Sequence, residues 1–161
     1  MPRSLIKCLE LTLAEQFRLA IFVPAVRLVE DVTGWLLQGW PGGDRSYPWA
    51  RGCHAAHPQR DGTIAAFRRG EFPVLVTTTV MERGVTIPHL NVLVLYADEE
   101  RVFNENTLIQ IAGRAGRSPS CPQGRVWFLA RCLSPSMVAA RCRIREFNDL
   151  GRRRGYLKNP G

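Results

Sequence analysis

A chain of 161 residues suits one domain with at most an appendage. Its 45% apolar content supports a real core, and Lys and Arg exceed Asp and Glu by 22 to 14, a formal net charge of +8 that points to a polyanionic partner such as nucleic acid or a nucleotide. No apolar run approaches the ~20 residues of a membrane span, the opening MPRSLIKCLELTLAEQ is too polar for a signal peptide, and an odd set of cysteines without a C-x-x-C pair argues against a disulfide framework or a four-cysteine zinc site.

Residues 1–18 read as a lead-in helix or remnant linker. LAIFV at 19–23 is an apolar run ended by Pro24, the pattern of a buried strand. Val26, Val29, Val32, Trp35 and Leu36 then recur at helical spacing. WPGGDRSYPWAR, residues 40–51, is a Gly/Pro-rich loop, and GCHAA a short strand. RDGTIAAFRRG predicts a helix stopped at Gly70. FPVLVTTTV and LNVLVLYAD are clear strands with a short helix expected between them. ENTLIQIAGRAGR starts as a helix, and GRVWFLA is a further strand. In the last helix Ser134 is the expected N-cap and Pro135 the first helical residue, with Met137, Ala140, Ile144 and Phe147 along one face. From residue 151 the chain reads as a frayed basic tail. Strands alternating with helices predict an α/β fold, a parallel sheet covered on both faces, with function at the carboxyl ends of the strands.

Three segments after the strands carry candidate chemistry. In TTTVMERGVTIP, residues 77–88, the threonines offer hydroxyl and backbone donors to phosphate oxygens, Arg83 can pair with an acidic group, and Gly84 permits close backbone approach. NVLVLYADEE imitates a magnesium-binding strand. That role needs a G-x-x-x-x-G-K-[ST] loop upstream, and the 161 residues contain none, so a solvated acidic loop is the better reading of Asp98 and Glu99. In LIQIAGRAGRSPS, residues 108–120, Gly113 and Gly116 each cost a helix about 0.5–1 kcal/mol against alanine. Arg114 and Arg117 lie three apart, the spacing of one helix face. Arginine forks suit phosphate and keep their charge, but with no phosphate cradle here, the phosphate must come from elsewhere. Cys53, His54 and His57 lie close in sequence, yet no fourth ligand is evident and no metal site is expected.

QIAGRAGR resembles motif VI of superfamily 2 helicases, Q-x-x-G-R-x-G-R, and TTTVMERGVTIP resembles their motif V. IFVPAV is similar to the motif that opens the second helicase lobe, and CHAAHPQRDGTIAAFRRGEFPVLVTTT follows the layout between them, in order over residues 19–130. Within the superfamily, the run from VTTTVMERG to AGRAGR and the terminal AARCRIREFNDLGRRRGYL are most similar to the ComFA late-competence DNA helicases. PriA-type replication-restart helicases are a more distant likeness.

The resemblance implies a RecA-like fold over 19–150, followed by the basic tail 151–161. It implies the second lobe of an ATP-dependent helicase or translocase acting on single-stranded DNA during competence-related uptake. Arg117 would be the arginine finger, Arg114 would support the γ-phosphate, and Gln110 would position the nucleotide and its water. Arg83, Gly84, Thr86 and Gly113 would face the nucleotide, with Thr86 near the ribose. Thr78 and Thr79, with His54 and Arg60, would meet the nucleic-acid backbone. ATP and Mg2+ would be held mainly by a first RecA-like lobe, joined in cis or supplied in trans, because these residues match the second lobe only. An isolated domain, a truncated reading frame or half of a split protein would each account for that, and the chain alone would be inactive. Expected partners are single-stranded DNA, that first lobe and DNA-uptake machinery. The expected location is cytoplasmic or peripheral at the inner face of the membrane, without insertion. A non-catalytic nucleic-acid-binding module and an interaction domain meeting a membrane-associated partner are the alternative classes.

The charge makes a first prediction. Binding to single-stranded DNA should weaken with salt, each phosphate contact contributing about −0.7 to the slope of log K against log salt concentration. A titration unchanged between low and moderate salt would remove the polyanion reading.

Overall fold

The computed structural model describes residues 3–39, 48–79, 87–116 and 124–155. The elements run α1 (Arg3–Ala14), β1 (Arg18–Phe22), α2 (Val26–Gly39), β2 (Ala50–Cys53), α3 (Arg60–Arg69), β3 (Val74–Thr77), β4 (Leu90–Leu95), α4 (Glu105–Ala112), β5 (Val126–Leu129) and α5 (Pro135–Arg153). The five strands form one sheet in the order β2-β3-β1-β4-β5, and every pairing is parallel. The expected helix between β3 and β4, and most of the loop 40–51, lie outside the described residues.

Side chains on β1 alternate between two cores, as strand geometry requires. Leu19 and Ile21 join Leu5 and Leu9 of α1, Val29, Val32 and Leu36 of α2, and Val74, Val76, Leu93 and Leu95 of the neighbouring strands. Ala20 and Phe22 face the other way. They pack with Phe67 of α3, Leu108 and Ile111 of α4, and Met137 and Ala140 of α5, together with Phe72, Val92 and Phe103. The fold is therefore three layers, with α1 and α2 on one face and α3, α4 and α5 on the other.

Local signals end the helices where the sequence puts them. Gly70 takes φ +83 after α3. Its N–H bonds Phe67 O at 3.1 Å and the Glu71 N–H bonds Ala66 O at 3.1 Å, which caps two carbonyls the helix leaves open. Ser134 caps α5, its Oγ accepting from the Met137 N–H at 3.3 Å. Two expectations for α5 differ from the structure. The helix continues to Arg153, past the expected start of the tail, helped by an Asp149–Arg152 pair at 2.9 Å. Phe147, expected on the packed face, is 55% exposed. The eight-residue α4 beneath it supports the first turns of α5, at Met137 and Ala140, and the apolar periodicity outruns that support.

α2 meets the edge strand β2 at Gly52. A Cβ there would stand 2.8 Å from Val29 Cγ1 and 2.9 Å from Thr33 Oγ1. The Thr33 hydroxyl is itself tied to Val29 O at 2.6 Å, so neither neighbour yields freely. Gly52→Ala should therefore lower stability by about 1–3 kcal/mol, the usual effect of overpacking. Urea unfolding checks this, and an unchanged midpoint would contradict the close packing.

Candidate nucleotide and nucleic-acid interface

The parallel register sets the first group of candidate residues. Cys53 pairs with Thr77, so His54 and Thr78 leave adjacent strands side by side. Thr77 is buried, Thr78 half-buried and Thr79 exposed. His54 and His57 stand edge to face with ring centroids 5.7 Å apart, and the His57 N–H donates to His54 O at 3.0 Å. His57 Nδ1 accepts from the Gln59 N–H at 3.2 Å. His54 Nδ1 is buried without a hydrogen-bond partner, an arrangement that native structures rarely leave unexplained. Arg60 opens α3 close by, its carbonyl 3.9 Å from Cys53 Sγ. Burial pushes the Cys53 thiol up, an effect that outweighs the lowering by Arg60. A thiol shifted in that direction is a poorer nucleophile at neutral pH.

The arginine segment lies elsewhere. α4 is capped by Asn104, whose Oδ1 accepts from the Thr107 N–H at 3.0 Å, and it ends at Ala112 with Gly113 as its C-cap. Gln110 is exposed on the last turn, and Arg114 is half-buried just beyond it. The N–H groups of Arg114 and Ala115 reach back 3.1 Å to the carbonyls of Ile111 and Ala112, and Gly116 turns left-handed at φ +64. The expectation of a shared helix face is corrected for Arg114 alone, since Arg117 lies outside the described residues. Arg114 sits in a turn after the helix, because Gly113 ends the helix and Gly116 takes a backbone conformation that other residues avoid.

The second correction concerns position. A helix following a strand in a parallel sheet runs back, so α4 delivers this turn to the amino ends of the strands. Residues 115 and 116 lie against Gly124, just ahead of β5. A Cβ on Gly124 would meet their backbone and stand 2.7 Å from the carbonyl of Leu90, the first residue of β4. The strand pattern predicts function at the carboxyl ends. His54, Thr78 and Thr79 are there, with Arg60 close by, while Gln110, Gly113 and Arg114 gather at the opposite end. Arg83, Gly84 and Thr86, along with Arg117, fall outside the described residues. The stretch containing the first three connects Thr79 at the carboxyl end to Ile87 near the amino end.

The amino end has further members that sequence reasoning passes over. Arg18 donates from Nη1 to Pro88 O at 3.1 Å, and burial lowers its pKa. Asn91 is fully buried. Its Nδ2 donates to Thr12 Oγ1 at 3.1 Å, and its Oδ1 accepts from the Arg125 N–H at 2.8 Å. A lone Asn inside the apolar run LNVLVL is the available signal.

The acidic residues after β4 serve α5. Glu100 Oε1 accepts from the Ser136 N–H at 2.9 Å, and Asp98 Oδ2 lies 3.7 Å from Cys132 Sγ, which donates to it. Among the described residues no three His, Cys, Asp or Glu side chains gather as a metal site would require. No described helix is long and apolar enough to cross a membrane.

Residues 2–119 match the family model for the helicase conserved C-terminal domain. The chain belongs to that family. It is 33% identical over 149 residues to the competence protein ComFA of Bacillus subtilis, a match covering 92% of this chain and 30% of that protein. It is 42% identical over 85 residues to ComFA of Streptococcus pneumoniae, covering 53% of this chain and 19% of that protein. The chain thus spans less than a third of the curated relatives it matches. Among solved structures it is similar to domain 2 of the DEAD-box helicase Mss116p, described as bound to an RNA duplex. The TM-score is 0.58 at 20% identity, over 80% of this chain and 49% of that one. The fold is that of the RecA-like C-terminal lobe of superfamily 2 helicases.

The hydrogen bond from Ser136 holds the Glu100 carboxyl below its ordinary value of 4.5. A depressed folded-state pKa contributes stability above the unfolded value, and that contribution is lost as pH falls through the folded one. Glu100→Gln should therefore lower the melting temperature at neutral pH, and the gap to the unsubstituted chain should close in strong acid. A gap independent of pH would rule out a charged cap.

Proposed function

We propose that this chain is the second lobe of an ATP-dependent translocase that moves along single-stranded DNA during competence-related DNA uptake. The observation that carries the reading is the division of candidate residues between the two ends of one sheet. His54, Thr78, Thr79 and Arg60 form a patch at the carboxyl end suited to a nucleic-acid backbone. Gln110, Gly113 and Arg114 gather at the amino end, where they suit a nucleotide phosphate, and Arg83, Gly84, Thr86 and Arg117 are assigned the same role from their motifs alone. The likeness to two ComFA proteins supports the DNA-uptake setting.

Arg114 and Arg117 act on a phosphate held by a first lobe. Their guanidinium groups stay charged at any working pH and offer paired donors to its oxygens. Gln110, one turn before Arg114, orients the attacking water. The nucleotide supplies a phosphate charge that is present in one state and absent in the other. The arginine contacts therefore favour closed lobes in the first state and let them part in the second. His54, Thr78 and Thr79 keep their hold on the strand as the lobe moves, the exposed Thr79 and half-buried Thr78 offering hydroxyl and backbone donors to its phosphate oxygens. Asp98 and Glu100 bond Cys132 and Ser136 and are assigned no part in holding the magnesium ion that accompanies ATP. Its ligands belong to the first lobe, as does the phosphate cradle.

Steady-state ATPase measurements with saturating single-stranded DNA test this. The chain alone should not exceed a buffer control. Joined to a first lobe it should turn over ATP, and Arg117→Ala should reduce that rate steeply, since such a finger contributes roughly 10³–10⁵ in rate. DNA affinity should change little, and Arg117→Lys should recover only part of the rate because lysine lacks the planar fork. Full activity in Arg117→Ala would take the finger role from this residue. Hydrolysis by the chain alone would overturn the half-enzyme reading.

A further inference from the structure

We infer that Gly124 is a positioning residue for the arginine segment, setting where Arg114 stands by backbone contact rather than by touching the nucleotide. This rests on the nucleotide role proposed for that segment. After Gly113 ends α4, residues 114 and 115 are held on one side by short-range bonds to the end of the helix. On the other side they lie against the backbone before β5. A Cβ on Gly124 would overlap the Gly116 amide nitrogen, stand 2.8 Å from the Ala115 carbonyl carbon and 2.7 Å from Leu90 O. All three neighbours are backbone atoms, so no side-chain rotation relieves the contact, and a substitution displaces either the turn or the start of β5.

The start of β5 is the less movable of the two. The Val92 N–H donates to Arg125 O at 2.8 Å, and the Arg125 N–H donates to the buried Asn91 Oδ1 at 2.8 Å. The same Asn91 side chain holds Thr12 of α1 through its other end, and the Arg125 guanidinium pairs with Glu15 just beyond α1. Residue 125 is therefore fixed to β4 by backbone and side chain and to the end of α1 by its charge. The turn at 114–116 gives way at two of the three contacts, while the contact with Leu90 O is relieved only by a small local shift of residue 124 against the first residue of β4. At Gly34 in α2, by contrast, a Cβ would meet nothing within 4 Å.

The test uses the chain joined to a first lobe, comparing Gly124→Ala, Arg114→Ala, the double substitution and Gly34→Ala as control. Displacing a reacting-site group by about 1 Å costs on the order of 10²-fold in rate. Gly124→Ala should therefore lower kcat for ATP on that order while single-stranded DNA affinity holds, and Gly34→Ala should leave both unchanged. In the Arg114→Ala background Gly124→Ala should add little further loss, because both substitutions act through one side chain. Losses that multiply, or a kcat unchanged by Gly124→Ala, would overturn the inference. Amide hydrogen exchange gives a readout independent of activity: residues 114–116 should exchange faster in Gly124→Ala, while β1 and β3 keep their protection. Unchanged exchange at 114–116, or exchange raised throughout the chain, would also overturn it. If the unsubstituted enzyme shows no ATPase, the proposed function fails by itself, and the exchange result still decides the role of Gly124.

Discussion

Burial of both faces of β1, β3 and β4 constrains everything else in this fold. Every residue of β3 and β4 is buried, and β1 divides its side chains between two cores. A register slip of one residue would exchange the two sets, so strand pairing is strongly specified. Such a sheet leaves no face open to solvent, and helices must cover both sides. Each connecting helix carries the chain from the carboxyl edge back to the amino edge. The two edges are then the places where loops and polar groups can collect, and different chemistry collects at each.

The apolar strands are legible in the sequence because they are short, dense in Val, Leu and Ile, and bounded by Pro or Gly. Gly70 and Ser134 are legible because a left-handed cap and an N-cap depend on local residue type. The glycines around the arginines stand out as anomalies, but their purpose is not readable. Taken locally they clear space for a partner, whereas in the fold Gly113 closes a helix and Gly116 bends the chain. The residues that sequence reasoning misses share one property. Asn91 bonds partners 79 and 34 positions away, and Gly124 matters because of the backbone that passes over it. Periodicity and turn chemistry are local signals, and neither reports on a contact that only the folded sheet creates. Arg117, Arg83, Gly84 and Thr86 stand out from motifs alone, on segments outside the described residues.

Charge is arranged unevenly over this framework. α5 presents Arg141, Arg143, Arg145 and Arg153 to solvent. Its ion pairs, Arg143 with Glu105 and Arg152 with Asp149, lie at the surface, where such pairs contribute little to stability. The acidic run after β4 is used locally: Glu100 bonds the first turn of α5 and Asp98 faces Cys132. A motif that imitates a metal strand in sequence thus becomes a helix cap in space. The difference lies in the neighbour that packs beside the run, since α5 brings unsatisfied N–H groups to those carboxylates.

The bracket at Asn91 also bears on the order in which the molecule can be completed. It joins residues 12, 91 and 125, and Glu15 reaches Arg125 across 110 positions. The end of α1 is made before the strands it joins, and its polar partners lie on β4 and just ahead of β5, the last strand of the sheet to emerge. Closing so long a loop loses chain entropy before any contact compensates for it. Until residue 125 is available, Thr12 has no complete bracket to join and the apolar face of α1 lacks part of its support. α1 is therefore settled in place only once β5 has been made.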